Sequence, residues 1–418
     1  MFSSSRPLHT RTYYLAAPLL MLSAFGVQAG DTRTVTEPVP PPPCQTLYAR
    51  ETDDATQAIQ TALNTCARGK TVHLAASENT DTFYSGPLSV PSGVSLAIDK
   101  GATLRAVANP ARFDTGKQTC GTLDNSGKGC KPFIWIKNAV GNGIYGQGTI
   151  DGQGGAVMAG RNQTWWQLAK EAQKSDSKQN APRLIQIDNS SDITLYQITL
   201  KNAPNFHIVG NRSNGLTLWG ITIDTPAFAR NTDGFDPMGS TNVTLTHSVI
   251  GTGDDNVAIK AGNASTSHIS IVDNRFGSGH GMSIGSEVNK GVSDVDVNLL
   301  TLNGTTNGLR IKSDRSRGGL VTAVTYRHIC MENVKNPIVL DTRYEPKAQG
   351  DSLPVFRDIT FDQVKVLTAG TLTFQGDSDS NPIVTTLNNV TLASDSAIHK
   401  KYAILQGTIT SGATGSCP

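Results

Sequence analysis

Ile193-Thr194-Leu195-Tyr196-Gln197-Ile198-Thr199-Leu200 is followed 23 residues on by Leu216-Thr217-Leu218-Trp219-Gly220-Ile221-Thr222-Ile223. Both read as two alternating apolar residues, a gap, and two more. The template returns as Val243-Leu245 with Ile250, Ile269-Ile271 with Phe276, and Val295-Val297-Leu300-Leu302. It continues as Val324-Tyr326-Ile329-Met331 and Ile359-Phe361-Val364-Val366, with successive starts 23, 27, 26, 26, 29 and 35 residues apart. Alternation over a few residues is the period of a strand, and a spacing in the twenties is that of a stacked coil. One such coil cannot bury its apolar face alone, so neighbours must stack. The pattern predicts an all-β chain wound as a right-handed parallel β-helix.

A second short strand is expected in each coil, starting at Phe235, Val257, Met282, Leu309 and Ile338 in turn. Asp233, Asp255 and His280 each lie two residues before such a start, and Asp254 lies three before. Arg310 and Lys312 lie one and three after Leu309, where alternation turns them away from the buried face. Coils repeat at about 4.8 Å, so equal offsets in successive coils form a column on one outer wall. A lone aspartate at a turn caps backbone, and a lone surface lysine is merely solvated. Six ionisable residues in register argue instead for a site.

The 418 residues carry 36 Lys and Arg against 34 Asp and Glu. Arg6 and Arg11, the apolar run Leu15 to Val27, and Val27-Gln28-Ala29 have the order of a secretory signal, with cleavage expected after Ala29. The run is shorter than the about 20 residues of a membrane span. Removing it leaves the charges balanced, which supports neither nucleic acid nor membrane as a partner. Residues 30–43, with Glu37-Pro38-Val39-Pro40-Pro41-Pro42-Pro43, read as a stiff extended leader. Residues 44–418 show no linker and are expected to form one domain, since solenoids grow by repetition. Asp54 to Cys66 has helical apolar spacing and suits a short N-terminal capping helix. Six cysteines in a secreted chain allow 15 pairings. Sequence proximity favours Cys44–Cys66 and Cys120–Cys130, which leaves Cys330–Cys417. No cysteine or histidine cluster has zinc spacing, so no metal is expected.

Asn231-Thr232-Asp233, Gly253-Asp254-Asp255, Gly279-His280-Gly281 and Arg310-Ile311-Lys312 resemble the four signature motifs of polygalacturonases, glycoside hydrolases of family 28. Gly146-Gln147-Gly148-Thr149-Ile150-Asp151-Gly152 and Trp165-Trp166 also look like that family, and the resemblance runs from about residue 45 to about residue 400. It implies hydrolysis of α-1,4 links between galacturonic acids with inversion and without a cofactor, by a secreted protein expected to be monomeric. It makes Asp254 the general acid, has Asp233 and Asp255 hold and deprotonate water, and has His280 tune the carboxylates. Arg310 and Lys312 would bind a sugar carboxylate, with Asn231 and Tyr344 also on the substrate side. The residues themselves agree with those roles. Glycoside hydrolysis needs one protonated and one ionised carboxyl group, and crowded carboxyl groups do not ionise together. A polyanionic substrate also calls for cations beside the acids.

Lys260 shares the offset of Lys312, so it is a candidate groove residue, with a solvated lysine as the plain alternative. Asn205 and His207 could reach an outer sugar, though a turn asparagine and a part-buried histidine fit them better. Asp236 reads as a supporting residue, and Trp165 and Trp166 as packing at a coil end. His247, His268 and His328 fall off the column and read as structural. An endo-acting hydrolase leads, because nothing obvious walls off the groove; the loop from Thr115 to Lys131 is the candidate wall for an exo-acting rival. A pectate lyase would need calcium ligands and a basic catalyst, and a glycan-binding adhesin would leave the carboxylates idle.

Overall fold

A computed structural model describes Met1, residues 29–51 and residues 54–418. The expected signal segment lies, apart from its two end residues, outside the described residues. The chain is a right-handed parallel β-helix. A 20-stranded sheet makes up its long walls, and an 11-stranded sheet of shorter strands runs beside it. Among the described residues, the exception to parallel pairing in the sheets is a two-stranded antiparallel pair, Leu123–Asp124 with Lys178–Gln179.

The gap in the repeating template has a physical cause. Gln197, Gly220, His247, Asp273, Leu299, His328 and Gln363 occupy it in successive coils, and all have φ between 53° and 62°. One left-handed residue bends the chain there, so apolar residues on both sides of the bend point inward. A second left-handed corner, at Asp192, Gly215, Asn242, His268, Asp294, Ala323 and Asp358, opens the same wall. Asn, Asp, His and Gly suit these corners best. That explains why His247, His268 and His328 lie off the column of candidate residues. Between the corners the register is strict: Ile193 pairs with Leu216, Leu216 with Val243, Val243 with Ile269, and Ile269 with Val295. All five are fully buried. Each such side chain contributes about 1.5–3 kcal/mol of burial, set against the entropy of ordering its coil.

Helix α1 (Thr56–Thr65) turns Ile59, Ala62 and Leu63 into the core against the first strands, as a cap would. The disulfides are Cys44–Cys66, Cys120–Cys130 and Cys330–Cys417, the pairing that proximity favours. Helix α2 (Pro110–Phe113) and helix α3 (Trp165–Lys174) sit in excursions between coils. Trp165 and Trp166 belong to α3, which corrects their expected place at a coil end. Both are buried, and Trp166 Nε1 donates to the Ala203 carbonyl at 3.0 Å.

The proline-rich leader forms no helix or strand before Pro43, and it is fastened down. Gly30 N donates to Asp294 Oδ1 at 2.8 Å and Asp31 N to Ser270 Oγ at 2.9 Å. Buried Asp31 accepts from Thr244 Oγ1 at 2.7 Å and pairs with Arg33, whose guanidinium donates to the Leu216 carbonyl. Tyr196 then donates to Glu37 at 2.6 Å, and the Pro42 carbonyl accepts from Thr71 N as the first strand begins at Pro43. The leader thus straps the long sheet from a late coil back to the first. Asp31→Ala should cost about 1–3 kcal/mol, the worth of charged hydrogen bonds. A lowered thermal midpoint by calorimetry is the check, and an unchanged midpoint would mean the strap carries no stability.

Candidate active site

The short sheet carries the column the sequence suggested. Ile185 pairs with Ile208, Ile208 with Phe235, Phe235 with Val257, Val257 with Met282, and Met282 with Leu309. Asp233, Asp255 and His280 stand at the same step before three of these residues, on turns stapled to one another. Thr232 Oγ1 donates to the Ala229 carbonyl and accepts from Gly253 N at 3.0 Å. Asn256 donates to the Ile250 and Ser278 carbonyls and accepts from Gly281 N, all within 2.9 Å. His280 N donates to the Asp254 carbonyl at 2.8 Å. A Cβ at Gly253 would come within 2.0 Å of the Ala229 carbonyl oxygen, and one at Gly281 within 2.1 Å of that of Asn307. Both motif glycines are therefore set by close backbone approach.

Three carboxyl groups meet here in three environments. Asp255 is buried and held on every side. Oδ1 accepts from Arg310 Nη2 and from Ser283 Oγ at 2.8 Å, and Oδ2 lies 3.0 Å from Lys312 Nζ. Burial pushes its pKa up, but Lys312 and Arg310 outweigh that and hold it below the usual range. Asp254 is the most open of the three, with 17% of its side chain exposed, and its Oδ1 lies 3.1 Å from His280 Nδ1. Burial raises this carboxyl as well; the hydrogen bond and charge of His280, with Lys312 behind, bring it well below the ordinary value. Asp233 goes the other way. Burial, then the negative charges of Asp236 and Asp254, raise it well above the carboxylate range, with Lys260 opposing. Its Oδ1 has no hydrogen-bond partner among the described residues. These environments favour a proton on Asp233 over one on Asp254 or Asp255.

The cations differ from the sequence expectation in how they are engaged. Arg310 and Lys312 face outward from their strand, yet both are buried and already paired with Asp255. Lys312 also stands 5.0 Å from the centre of the Tyr344 ring. Lys260 is no solvated lysine. Its ammonium lies 2.8 Å from Asp236 and 3.5 Å from Asp233, inside the wall. That places it under the carboxylates rather than at an open subsite. Asp236 is fully buried, and burial pushes it up to about 6 against the pull of Lys260. Asn231 flanks the cluster: its N donates to Asp254 Oδ2 at 3.3 Å, and its side chain accepts from Gln179. Asn205 is half-exposed, whereas His207 is fully buried, its ring bonded to Thr225 Oγ1 and to the Asp233 carbonyl. Sequence reading missed Ser283, Asn256 and Thr232. Ser283 could have been found, since it sits one past its strand start, in register with Arg310.

Asp254, Asp255 and His280 each offer one ligating atom within 4.8 Å of the others. A cation there would meet Arg310 and Lys312 at once, so the electrostatics oppose a metal.

The family model of glycosyl hydrolases family 28 matches residues 61–413. An endo-polygalacturonase of Pectobacterium parmentieri is 52% identical over 388 residues, covering 92% of this chain and 96% of that relative. A solved polygalacturonase from Erwinia carotovora ssp. carotovora superposes with a TM-score of 0.88 at 51% identity, over 90% of this chain and all of that one. An exopolygalacturonase structure from Thermotoga maritima, with a TM-score of 0.74 over 90% of this chain and 93% of that one, is 19% identical and shares the fold.

The two adjacent aspartates should respond unequally to neutralisation. Asp255→Asn strands two buried cations, a loss of about 3–5 kcal/mol. Asp254→Asn gives up the contact of a part-exposed carboxylate with His280 and strands no buried cation, so it should cost clearly less. The linkage signs follow from the shifts: the stability from Asp255 is present above the ordinary aspartate pKa and lost as pH falls through its depressed one, while that from Asp233 is full below the ordinary value and lost as pH rises through its raised one. Denaturant titrations of both variants at neutral pH check the contrast, and equal losses would refute it.

Proposed function

The chain belongs to the glycosyl hydrolases of family 28, and on that premise we propose that it is a pectin-degrading endo-polygalacturonase, cutting α-1,4 bonds within polygalacturonate with inversion. The observation that carries this reading is that three neighbouring carboxyl groups stand in unlike surroundings, Asp255 gripped by Arg310 and Lys312, Asp254 beside His280, and Asp233 buried with one oxygen unpartnered among the described residues, which pushes their pKa values apart. Glycoside hydrolysis needs that split.

Asp254, the most exposed of the three, reaches the glycosidic oxygen. A galacturonate unit entering the groove covers Asp254 and brings its own negative charge, and both raise a carboxyl pKa. The proton kept on Asp233 then passes to Asp254, which gives it to the leaving oxygen as the C–O bond breaks. Asp233, now ionised, and Asp255 hold a water molecule on the opposite face of the ring. Water adds to the anomeric carbon and loses its proton to Asp233. The products leave with Asp233 protonated and Asp254 ionised, the distribution that the free protein favours. Electrostatic stabilisation comes from Arg310 and Lys312, whose unspent donors can also meet a sugar carboxylate. Tyr344 and Asn231 border that space.

Cleavage after Ala29 and export are part of the same reading, supported by three disulfides, which persist in oxidising compartments. No helix among the described residues is long and apolar enough to cross a membrane. The chain is proposed to work as a monomer, needing neither nucleic acid nor cofactor.

Asp254→Asn should lower kcat on polygalacturonate by at least about 10²-fold, the low end of general-acid contributions. The pH profile of kcat/KM should be a bell: its acid limb falls as the ionised pair takes up protons, and its basic limb falls as the Asp233 proton is lost. Asp236→Asn removes a charge that raises Asp233 and turns Lys260 wholly toward it. The basic limb should therefore move to lower pH; a limb that stays put would take the proton reservoir away from Asp233. Endo cleavage should drop viscosity steeply while few reducing ends have formed. If monomer or dimer is the sole early product, the enzyme is exo-acting. The wall to suspect then is the loop from Thr115 to Lys131, closed by Cys120–Cys130 and bound to Asn180, next to the Gln179 that contacts Asn231.

A further inference from the structure

We propose that Arg183 and Phe206 form a uronate-binding subsite on the N-terminal side of the carboxyl cluster. Arg183 and Phe206 each stand two residues before Ile185 and Ile208, the offset of Asp233 before Phe235. Those three residues pair in register across adjacent strands. Arg183, Phe206 and Asp233 therefore occupy one wall in successive coils, about 4.8 Å apart. The column of site residues does not begin at Asp233; it begins two coils earlier with a cation and an aromatic ring.

The two side chains are arranged as a receptor for one sugar acid. The guanidinium of Arg183 lies 5.5 Å from the centre of the Phe206 ring, and the ammonium of Lys260 lies 4.6 Å from the same ring. Phe206 is half-exposed, so part of its apolar ring is left to meet the C–H groups of a pyranose beside Arg183. Arg310 and Lys312 are paired with Asp255, and Lys260 with Asp236. Arg183, among the described residues, makes one side-chain hydrogen bond, to Gln186 Oε1 at 3.1 Å, and no ion pair. Most of its five N–H donors are left for a planar carboxylate, which a guanidinium grips with two parallel bonds. Burial pulls its pKa below the ordinary guanidinium value, a penalty that a bound anion relieves. A cation beside an aromatic ring recurs one coil further out, where Lys137 Nζ stands 4.7 Å from the Trp135 ring.

This inference rests on the polygalacturonate reading, and the test separates the two. The probes are polygalacturonate and end-labelled oligogalacturonates of increasing length, with the full chain as wild type, Arg183→Ala, Arg183→Lys and Phe206→Ala. Arg183→Ala should raise KM on polymer about tenfold or more, the effect of losing a charged hydrogen-bond pair, with kcat little changed. Arg183→Lys should restore only part of that loss, because an ammonium cannot form the fork. On labelled oligomers both Arg183→Ala and Phe206→Ala should move the cut away from bonds that require this subsite to be filled. Phe206→Ala also decides the matter if Arg183→Ala does not fold. Unchanged KM and cut positions overturn the proposal. So does a loss confined to kcat with a displaced pH profile, since Arg183 would then act only on the ionisation of Asp233. If the wild type releases no reducing ends, it is the function that fails; calorimetric binding of an oligogalacturonate to wild type and Arg183→Ala then tests the subsite alone, and equal affinities sink it.

Discussion

A parallel ladder between coils leaves each residue with one partner above and one below, and it repeats that choice coil after coil. Ile193, Leu216, Val243, Ile269 and Val295 form one such line, and Ile185, Ile208, Phe235 and Val257 another. Slipping any strand by one residue would turn its apolar set outward. Register is thus enforced by burial in the core, and the outer wall inherits it without cost. Side chains scattered through the chain from Arg183 to Lys312 become neighbours in a row because the inward-facing residues between them cannot shift. The active-site geometry is in this sense a by-product of core packing.

What the wall then adds is a graded electrostatic field. Partners are placed asymmetrically: Arg310 and Lys312 close on Asp255, the His280 ring on Asp254, and Lys260 on Asp236 more tightly than on Asp233. Carboxyl groups of the same kind therefore acquire different affinities for a proton. The supporting residues matter as much as the reacting ones. Ser283 bridges Asp255 and Arg310, and buried His207 holds the Asp233 carbonyl.

Wherever a rule of period or offset applied, the sequence was informative. The apolar template, its gap, the capping helix, the cysteine pairs and the column of Asp233, Asp255 and His280 all follow from spacing. Less legible was what depends on where long side chains end. Offset alone made Lys260 and Lys312 equivalent, yet one lies beneath the carboxylates and the other grips Asp255 beside Tyr344. The same offset that identified Asp233 also held for Arg183 and Phe206, which carry no motif to draw the eye. Trp165 and Trp166 read as packing residues but belong to an inserted helix, whose 3.6-residue spacing interrupts the coil period. The leader reads as extended chain from its prolines; its anchoring was not legible, since Gly30, Asp31 and Arg33 find partners more than 180 residues away.

That strap changes the kind of object the solenoid is. A stack in which each coil touches only its neighbours can fray from either end, one coil at a time. Residues 30–37 tie strands of the later coils to earlier ones, and so create contacts that no single coil can lose alone. Opening a late coil now also loosens the strap's hold on early ones, and the stack gains the cooperativity of a closed body. Residues 30–37 are synthesised before the coils they grip and cannot dock until those coils exist. In this molecule a stretch made early is among the last to find its place.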